Sequence, residues 1–222
     1  MAMYKSLFDL SIEETVSTEM PHTVKFSNET GTGSMIICPL FLGAELYYND
    51  MHLAFFEEKP APARNVIEIN HCRVGRYECS FGENSCCYLA AGDFAVCAAA
   101  RKKSSCLPLR HYHGITILLD LDAITPKMRR EMEWYGIDLD VIRRYICTEN
   151  RCCILRSAPT IAHVFSELYT VHSVPDTGYL RLKVLELLHI LTRLKSREDV
   201  QQTEYFNQHQ VECVKQSATL LT

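Results

Sequence analysis

The sequence predicts an α+β protein in which a β-barrel, residues 1–122, is followed by a helical region, residues 123–222. Two observations support this division. Up to about residue 122, short β-branched and aromatic segments recur at intervals of about ten residues, which is typical of a sandwich or barrel. Beyond that point, apolar residues recur with the helical period of 3.6.

Five segments of the first half predict strands. They are SMIICPLFLGAELYY (34–48), VIEINHC (66–72), RYECSF (76–81), SCCYLAAGDFAVCAA (85–99) and GITILLDLD (114–122). The fourth contains Gly92-Asp93, a turn dipeptide, so it predicts two strands that meet there. Residues 1–33 are assigned to a loosely defined N-terminal arm of the barrel, and residues 56–65, rich in Ala and Pro, predict an exposed loop.

The second half predicts several helices. TPKMRREMEWYG offers Thr125 as N-cap, Pro126 at the first helical position and Gly136 as a stop. DLDVIRRYIC and PTIAHVFSELYTV predict two more, residues 179–197 predict the longest, and a C-terminal linker helix is expected to begin near Asn207.

The 179–197 helix carries one apolar stripe, which predicts a dimerisation helix. C2 dimers bury the same patch from both subunits. Packing of the stripe on the barrel or on the helix at 160–171 is an equally good interpretation, and the two are compatible. Its members are Leu180, Val184, Leu187, Leu188, Leu191 and Leu194.

Composition limits the function further. The formal net charge of −4 disfavours nucleic-acid binding by these residues, because phosphate neutralisation needs a basic face. No secretory signal opens the chain and no apolar run is long enough to span a bilayer, so we predict a cytoplasmic protein without membrane contact. The 11 cysteines are odd in number and include adjacent pairs, which indicates reduced thiols rather than a disulfide framework.

The stretch NVIEINHCRVGRYECSF (65–81) raises the question of a site. On a strand, Glu68, Asn70 and Cys72 share one face. If that face lines the barrel, the buried carboxylate needs a partner, which is either Arg76 or another barrel residue, or else a polar ligand. The predicted ligand-binding residues are Glu68, Asn70, Cys72, Tyr47, Arg76 and Glu78.

Motifs for catalysis are weak. His111 and His113 in HYH lie on one side of an extended chain, which is an unspecific metal signal, and Cys72, Cys79 and Cys86 lack the Cys-x-x-Cys unit of zinc sites. No nucleophile elbow, phosphate loop or dinucleotide fingerprint occurs. We therefore predict no catalytic residues, no bound metal and no cofactor.

In combination, the segments GAELYYNDMH, IEINHCRVGRYECSF, YLAAGDFAV, YHGITILLDLD and GYLRLKVLELLHIL resemble the N-terminal regulatory half of AraC-family transcription factors. The resemblance implies a cupin-like jelly-roll barrel that binds a small-molecule effector, helices that form a homodimer, and DNA binding only through a C-terminal helix-turn-helix domain that is absent from this chain. Catalytic cupins hold a metal with two histidines upstream of the glutamate, but residues 61–64 here read APAR, so the histidine pair is missing.

Two other functions compete with an effector sensor. One is a metal-dependent cupin enzyme that uses His111, His113 and Glu68. The other is a redox sensor with Cys106 as its reactive thiol, because Lys102 and Lys103 precede it.

Overall fold

The computed structural model describes residues 12–15, 21–56, 65–81, 85–98, 102–146, 153–155, 159–171, 176–194 and 206–207. Two antiparallel sheets and a group of helices make up this part of the chain. Among these residues, no helix has the length and apolar character needed to cross a bilayer.

The larger sheet has eight strands in the spatial order β1-β2-β3-β4-β11-β6-β9-β12. Every neighbouring pair in it is antiparallel. Its strands are β1 (Ile12–Thr15), β2 (His22–Asn28), β3 (Gly31–Phe41), β4 (Ala44–His52), β6 (Val66–Gly75), β9 (Phe94–Ala98), β11 (Tyr112–Asp120) and β12 (Cys153–Leu155).

The smaller sheet has five strands in the order β13-β8-β7-β10-β5. They are β5 (Phe55–Phe56), β7 (Tyr77–Phe81), β8 (Ser85–Leu89), β10 (Lys102–Cys106) and β13 (Phe206–Asn207). One apolar core lies between the two sheets, since Val24, Met35 and Tyr47 of the larger sheet cluster with Tyr77 and Cys79 of the smaller. This is the interior of the barrel.

The helices cover the outer face of the larger sheet. They are α1 (Pro126–Trp134), α2 (Leu139–Val141), which continues as a π-helical turn (Ile142–Ile146), α3 (Pro159–Thr170) and α4 (Thr177–Arg193). A second apolar core forms there, in which Ile69 and Ile117 of the sheet pack with Phe165 of α3 and Leu187 of α4.

Local sequence signals set the helix ends. Thr125 caps α1 by accepting a hydrogen bond from the Met128 amide at 3.2 Å, and Pro126 opens the helix. Gly136 follows with φ +69, a conformation that favours glycine. Asp176 caps α4 by accepting from the amides of Gly178 and Tyr179.

The fold class predicted from the sequence, a cupin-like barrel followed by helices, is confirmed. The turn at Gly92-Asp93 separates β8 from β9, and Gly43, with φ +84, separates β3 from β4. Residues 22–33, assigned from the sequence to a loose arm, form β2 and the start of β3 inside the larger sheet. The strand β12 lies within the region predicted to be helical and pairs with β9.

The apolar stripe of α4 lies inside the chain. Leu180, Val184, Leu187, Leu188 and Leu191 are fully buried, and Leu194 packs against the same core. Of the two compatible interpretations, the structure shows packing on the sheet and on α3. A homodimer, and a role of the stripe in forming it, stays a prediction. The predicted C-terminal linker helix lies outside the described residues, except that Phe206 and Asn207 pair with β8 as a strand.

Candidate functional site in the barrel interior

A cavity of about 20 Å³ lies between the two sheets. Strands β4, β6 and β11 supply most of its wall, and β5 and β7 close the opposite side. The lining residues are Tyr47, Asn49, Met51, Phe56, Glu68, Asn70, Tyr77, Tyr112 and Thr116. A space of this volume suits a water molecule or one small chemical group.

A continuous chain of hydrogen bonds runs along one wall of this cavity. The Asn49 amide donates to Thr116 Oγ1 at 2.9 Å, and the Thr116 hydroxyl donates to Asn70 Oδ1 at 2.6 Å. The Asn70 amide in turn donates to Glu68 Oε1 at 2.6 Å. All four residues are buried, Glu68 with 4% exposure. Each member therefore orients the next, and the chain ends on a carboxylate.

Strand register produces this chain. In the antiparallel pairing of β6 with β11, Asn70 lies opposite Thr116 and Glu68 opposite Leu118. In the pairing of β11 with β4, Thr116 lies opposite Tyr47, so Asn49 is the diagonal neighbour of Thr116. Directly opposite and diagonal residues are close enough for side-chain hydrogen bonds.

Aromatic rings cover the rest of the cavity. The Tyr77 hydroxyl lies 2.7 Å from Ser105 Oγ, and the Tyr77 ring stacks on Phe56 with centroids 6.3 Å apart. The Tyr47 hydroxyl donates to the Glu45 carboxylate. The cavity thus combines one polar wall with an apolar aromatic lining, as small-molecule sites do.

The residues predicted for ligand binding divide into two groups. Glu68, Asn70 and Tyr47 line the cavity. Cys72 is buried on the same face of β6 and Glu78 is buried in β7, but neither lines the cavity, and Arg76 is exposed. Of the alternatives expected for Glu68, the structure shows a hydrogen bond with another barrel residue, because the Asn70 amide donates to its carboxylate.

Sequence reasoning missed Asn49, Thr116, Tyr77 and Tyr112. Asn49 follows Tyr47 by two residues, so alternation could have added it to the same face. Thr116 sits in a β-branched run and carries no such signal, because only the β4–β11–β6 register brings its hydroxyl to Asn70.

The outer face of β6 contacts the helices at the position where its inner face lines the cavity. His71, next to Asn70 in sequence, has Nδ1 3.0 Å from the Tyr169 hydroxyl of α3. Its ring stacks on Phe165 with centroids 4.1 Å apart. Burial, assisted by the nearby Arg73, lowers the pKa of His71 to about 4, so the ring is neutral near pH 7.

Four polar residues cluster at the ends of β4 and β11, on the outer face. Asp50 Oδ1 lies 2.8 Å from His52 Nε2 and 2.7 Å from His113 Nε2, and His111 Nδ1 lies 3.3 Å from His52 Nδ1. Burial lowers the pKa of His113, with Asp50 opposing the shift. His113 and Glu68 lie on opposite faces of the sheet, so the metal site formed by His111, His113 and Glu68 is not assembled.

Six cysteines whose side chains the structure describes are free thiols: Cys38, Cys72, Cys79, Cys97, Cys106 and Cys153. Burial raises the pKa of Cys38, Cys72 and Cys153 to about 12, which makes these thiols unreactive. Cys106 is partly exposed in β10, so a role for it in redox sensing stays a prediction.

The structure thus defines a β-rich, cupin-like barrel with a small polar–aromatic cavity and a helical layer on its outer face. No family model matches the chain, and no curated protein matches it. Solved structures with a similar arrangement include the AraC-like transcriptional activator CuxR, with a TM-score of 0.48 and 9% identity over 85% of this chain and 60% of that chain.

Two further solved structures show weaker likeness. ToxT from Vibrio cholerae matches with a TM-score of 0.39 and 10% identity, over 67% of this chain and 55% of that chain. The EutQ protein from Clostridium difficile matches with a TM-score of 0.30 and 13% identity, over 41% of this chain and 66% of that chain. This chain spans less than two thirds of the length of each of these proteins, and its described residues contain no helix-turn-helix domain.

Proposed function

We propose that this chain is the effector-sensing part of an AraC-type transcription regulator and that it controls DNA binding by a separate helix-turn-helix domain. The observation that carries the proposal is the buried hydrogen-bond chain from Asn49 to Glu68 along the wall of a cavity. A charged group is costly to keep in a barrel interior. A site that orients a polar ligand is one arrangement that uses such a group.

The chemistry of the wall narrows the effector class. A carboxylate at the end of the chain accepts hydrogen bonds and carries negative charge, so it favours an amine or a hydroxyl group. The Tyr47, Tyr77 and Tyr112 rings favour a short apolar portion beside that group. Because the cavity holds about 20 Å³, the effector is either very small or displaces lining side chains on entry.

Strand β6 provides a route from cavity to helices. Its inward residues, Glu68 and Asn70, line the cavity, and its outward residue His71 contacts Tyr169 and Phe165 of α3. If β6 and α3 move together between two arrangements, an effector that binds one arrangement more tightly favours it. The shift in that equilibrium is at most the difference between the two binding free energies. Couplings of this kind are typically about 1–3 kcal/mol, or about 5–150-fold in affinity.

We propose that the sensor binds its effector without catalysing a reaction, and that it forms a homodimer. Among the described residues, the cavity wall holds one carboxylate, two amides and four hydroxyl groups, and it holds no histidine. Sedimentation of the intact chain over a range of concentrations measures the dimer directly.

The proposal is tested by thermal unfolding of the purified chain with a panel of small amines, amino alcohols and polyols. Binding to the folded state alone raises the melting temperature, because it adds RT ln(1 + [L]/Kd) to stability. We expect at least one compound to stabilise the wild type and to lose most of that effect with Glu68→Gln, which keeps the side-chain shape and removes the charge. Glu131→Gln, an exposed carboxylate on α1, is the matched control and keeps the full effect. Equal stabilisation of wild type and Glu68→Gln by every active compound would place binding elsewhere.

A further inference from the structure

We propose that the outer face of the barrel carries a binding site for a late first-row divalent metal ion, of the Zn²⁺ class, formed by His52, His111 and His113 with Asp50 as the supporting carboxylate. The site is separate from the interior cavity and does not depend on the proposed sensing function.

Strand register assembles the site. His113 lies opposite Asp50 in the pairing of β11 with β4, and Tyr112 lies opposite Met51. Continuing this antiparallel register by one residue brings His111 opposite His52. The two cross-strand pairs are two residues apart, so all four side chains project from the same face.

The distances suit a tetrahedral ion. One ring nitrogen from each histidine lies within 4.8 Å of one from each of the others. His52 Nδ1 and His111 Nδ1 are 3.3 Å apart. Metal–nitrogen bonds of about 2.0–2.1 Å in a tetrahedron separate two ligand nitrogens by about 3.3–3.4 Å, so this pair already forms one edge. The side chains of His52 and His113 are 53% and 40% exposed, which leaves them room to turn toward an ion.

Asp50 gives the cluster its orientation. Its Oδ1 lies 2.8 Å from Nε2 of His52 and 2.7 Å from Nε2 of His113, within ion-pair distance of both rings. A carboxylate on one ring nitrogen fixes the tautomer that leaves the other nitrogen free to bind a metal, as in many carboxylate–histidine–zinc arrangements. The negative charge of Asp50 attracts an incoming cation. The positive charge of the nearby Arg73 opposes this attraction.

The ligand type selects the ion. Imidazole nitrogens suit zinc, copper, nickel and iron, whereas calcium and magnesium require oxygen ligands. Three histidines leave a fourth position for water.

Met51 and Tyr112 alternate with the histidines and line the interior cavity, so a bound ion would fix the backbone that carries two cavity residues.

Isothermal titration of Zn²⁺ into the intact chain, prepared without a histidine tag, tests the site. We expect one equivalent bound through the cluster, with affinity reduced about tenfold or more in His52→Ala and in His113→Ala. His163→Ala is the matched control, since His163 is exposed and paired with a single carboxylate, Glu186, at 3.0 Å; it leaves Zn²⁺ binding unchanged. Asp50→Asn keeps the three rings and is expected to weaken Zn²⁺ binding about 10–100-fold, which secures the test if a histidine variant does not fold.

Co²⁺ as a second probe separates histidine from cysteine ligands, because thiolate ligands add a sulfur-to-metal charge-transfer absorption. The expected spectrum of Co²⁺ bound to the cluster lacks that band and disappears in His113→Ala. The proposal is overturned if the chain binds no Zn²⁺, if His52→Ala and His113→Ala bind it as tightly as the wild type, or if the only bound Co²⁺ is thiolate-ligated.

Discussion

His71 Nδ1 lies 3.0 Å from the hydroxyl of Tyr169 and joins the strand that lines the cavity to the helix that covers the outer face of the sheet. The contact is enclosed, since the His71 ring also stacks on Phe165 and Arg73 lies over the Tyr169 ring, 4.7 Å from its centroid. On β4, which β11 separates from β6 in the sheet, the Tyr48 hydroxyl donates to the carbonyl oxygen of Leu168 at 2.7 Å. Two strands of the cavity wall are thus bonded directly to α3.

The buried His71 predicts a specific loss of stability in acid. Its pKa is about 4 in the folded chain and 6.5 as its ordinary value, so the unfolded chain binds the additional proton between these pH values. The contribution of the neutral His71 ring to the free energy of unfolding is fully present above about pH 6.5. It decreases as the pH falls toward 4, by up to about 3 kcal/mol. Urea unfolding from pH 4 to 7 measures it.

The control for this prediction is His71→Gln, which keeps a hydrogen-bonding side chain and has no titrating group. We expect its free energy of unfolding to decline less than that of the wild type over the same pH range. Parallel curves for the two proteins would show that His71 does not change its protonation on unfolding.

The polar wall of the cavity predicts a cost for an isosteric change at Thr116. Thr116→Val removes the hydroxyl that bonds both Asn49 and Asn70, and leaves their buried amide groups without this partner. We expect a loss of about 1–3 kcal/mol in the free energy of unfolding, measured in urea.

Thr116→Ser keeps the hydroxyl and loses one methyl group, so it serves as the matched variant. We expect it to be more stable than Thr116→Val. If the valine variant equals or exceeds the serine variant in stability, the hydrogen-bond chain does not contribute to folding.

The burial of the α4 stripe predicts that its residues act in folding. Leu187→Ala is expected to cost about 2–5 kcal/mol, as large-to-small changes in a core do. Leu182, on the same helix and 67% exposed, is the control, and Leu182→Ala is expected to change stability by no more than about 0.5 kcal/mol. Urea unfolding compares the two.

Leu187→Glu tests whether the α4 stripe packs within the chain or forms the interface of a dimer. With Leu187 fully buried, we expect the glutamate variant to unfold. The opposite outcome is a variant that stays folded and sediments as a monomer while the wild type sediments as a dimer. That outcome would show that the stripe forms the contact between subunits.

Local signals in the sequence were sufficient for much of this fold. Alternation in VIEINHC placed Glu68 and Asn70 on one face, and the cap at Thr125 and the stop at Gly136 set the limits of α1. Helical periodicity identified the apolar face of α4, but periodicity is the same for a face that packs within the chain and one that packs against a partner.

The parts that sequence reasoning missed depend on long-range register. Thr116 joins the cavity, and His52 joins His111, only because β11 pairs with β4 and β6 in one alignment. Strand β12 was missed for a related reason. Cys153–Leu155 is a three-residue segment whose strand character comes from pairing with β9.

The measurement that tests the central claim most directly is a two-dimensional NMR titration of the ¹⁵N-labelled chain with a compound that stabilises it. The side-chain amides of Asn49 and Asn70 each give their own signals and lie on the cavity wall. We predict that both pairs of signals move at the concentration that raises the melting temperature, together with the backbone amides of β6 and α3. Binding that leaves the Asn49 and Asn70 side-chain signals unmoved would contradict a sensor built in the barrel interior.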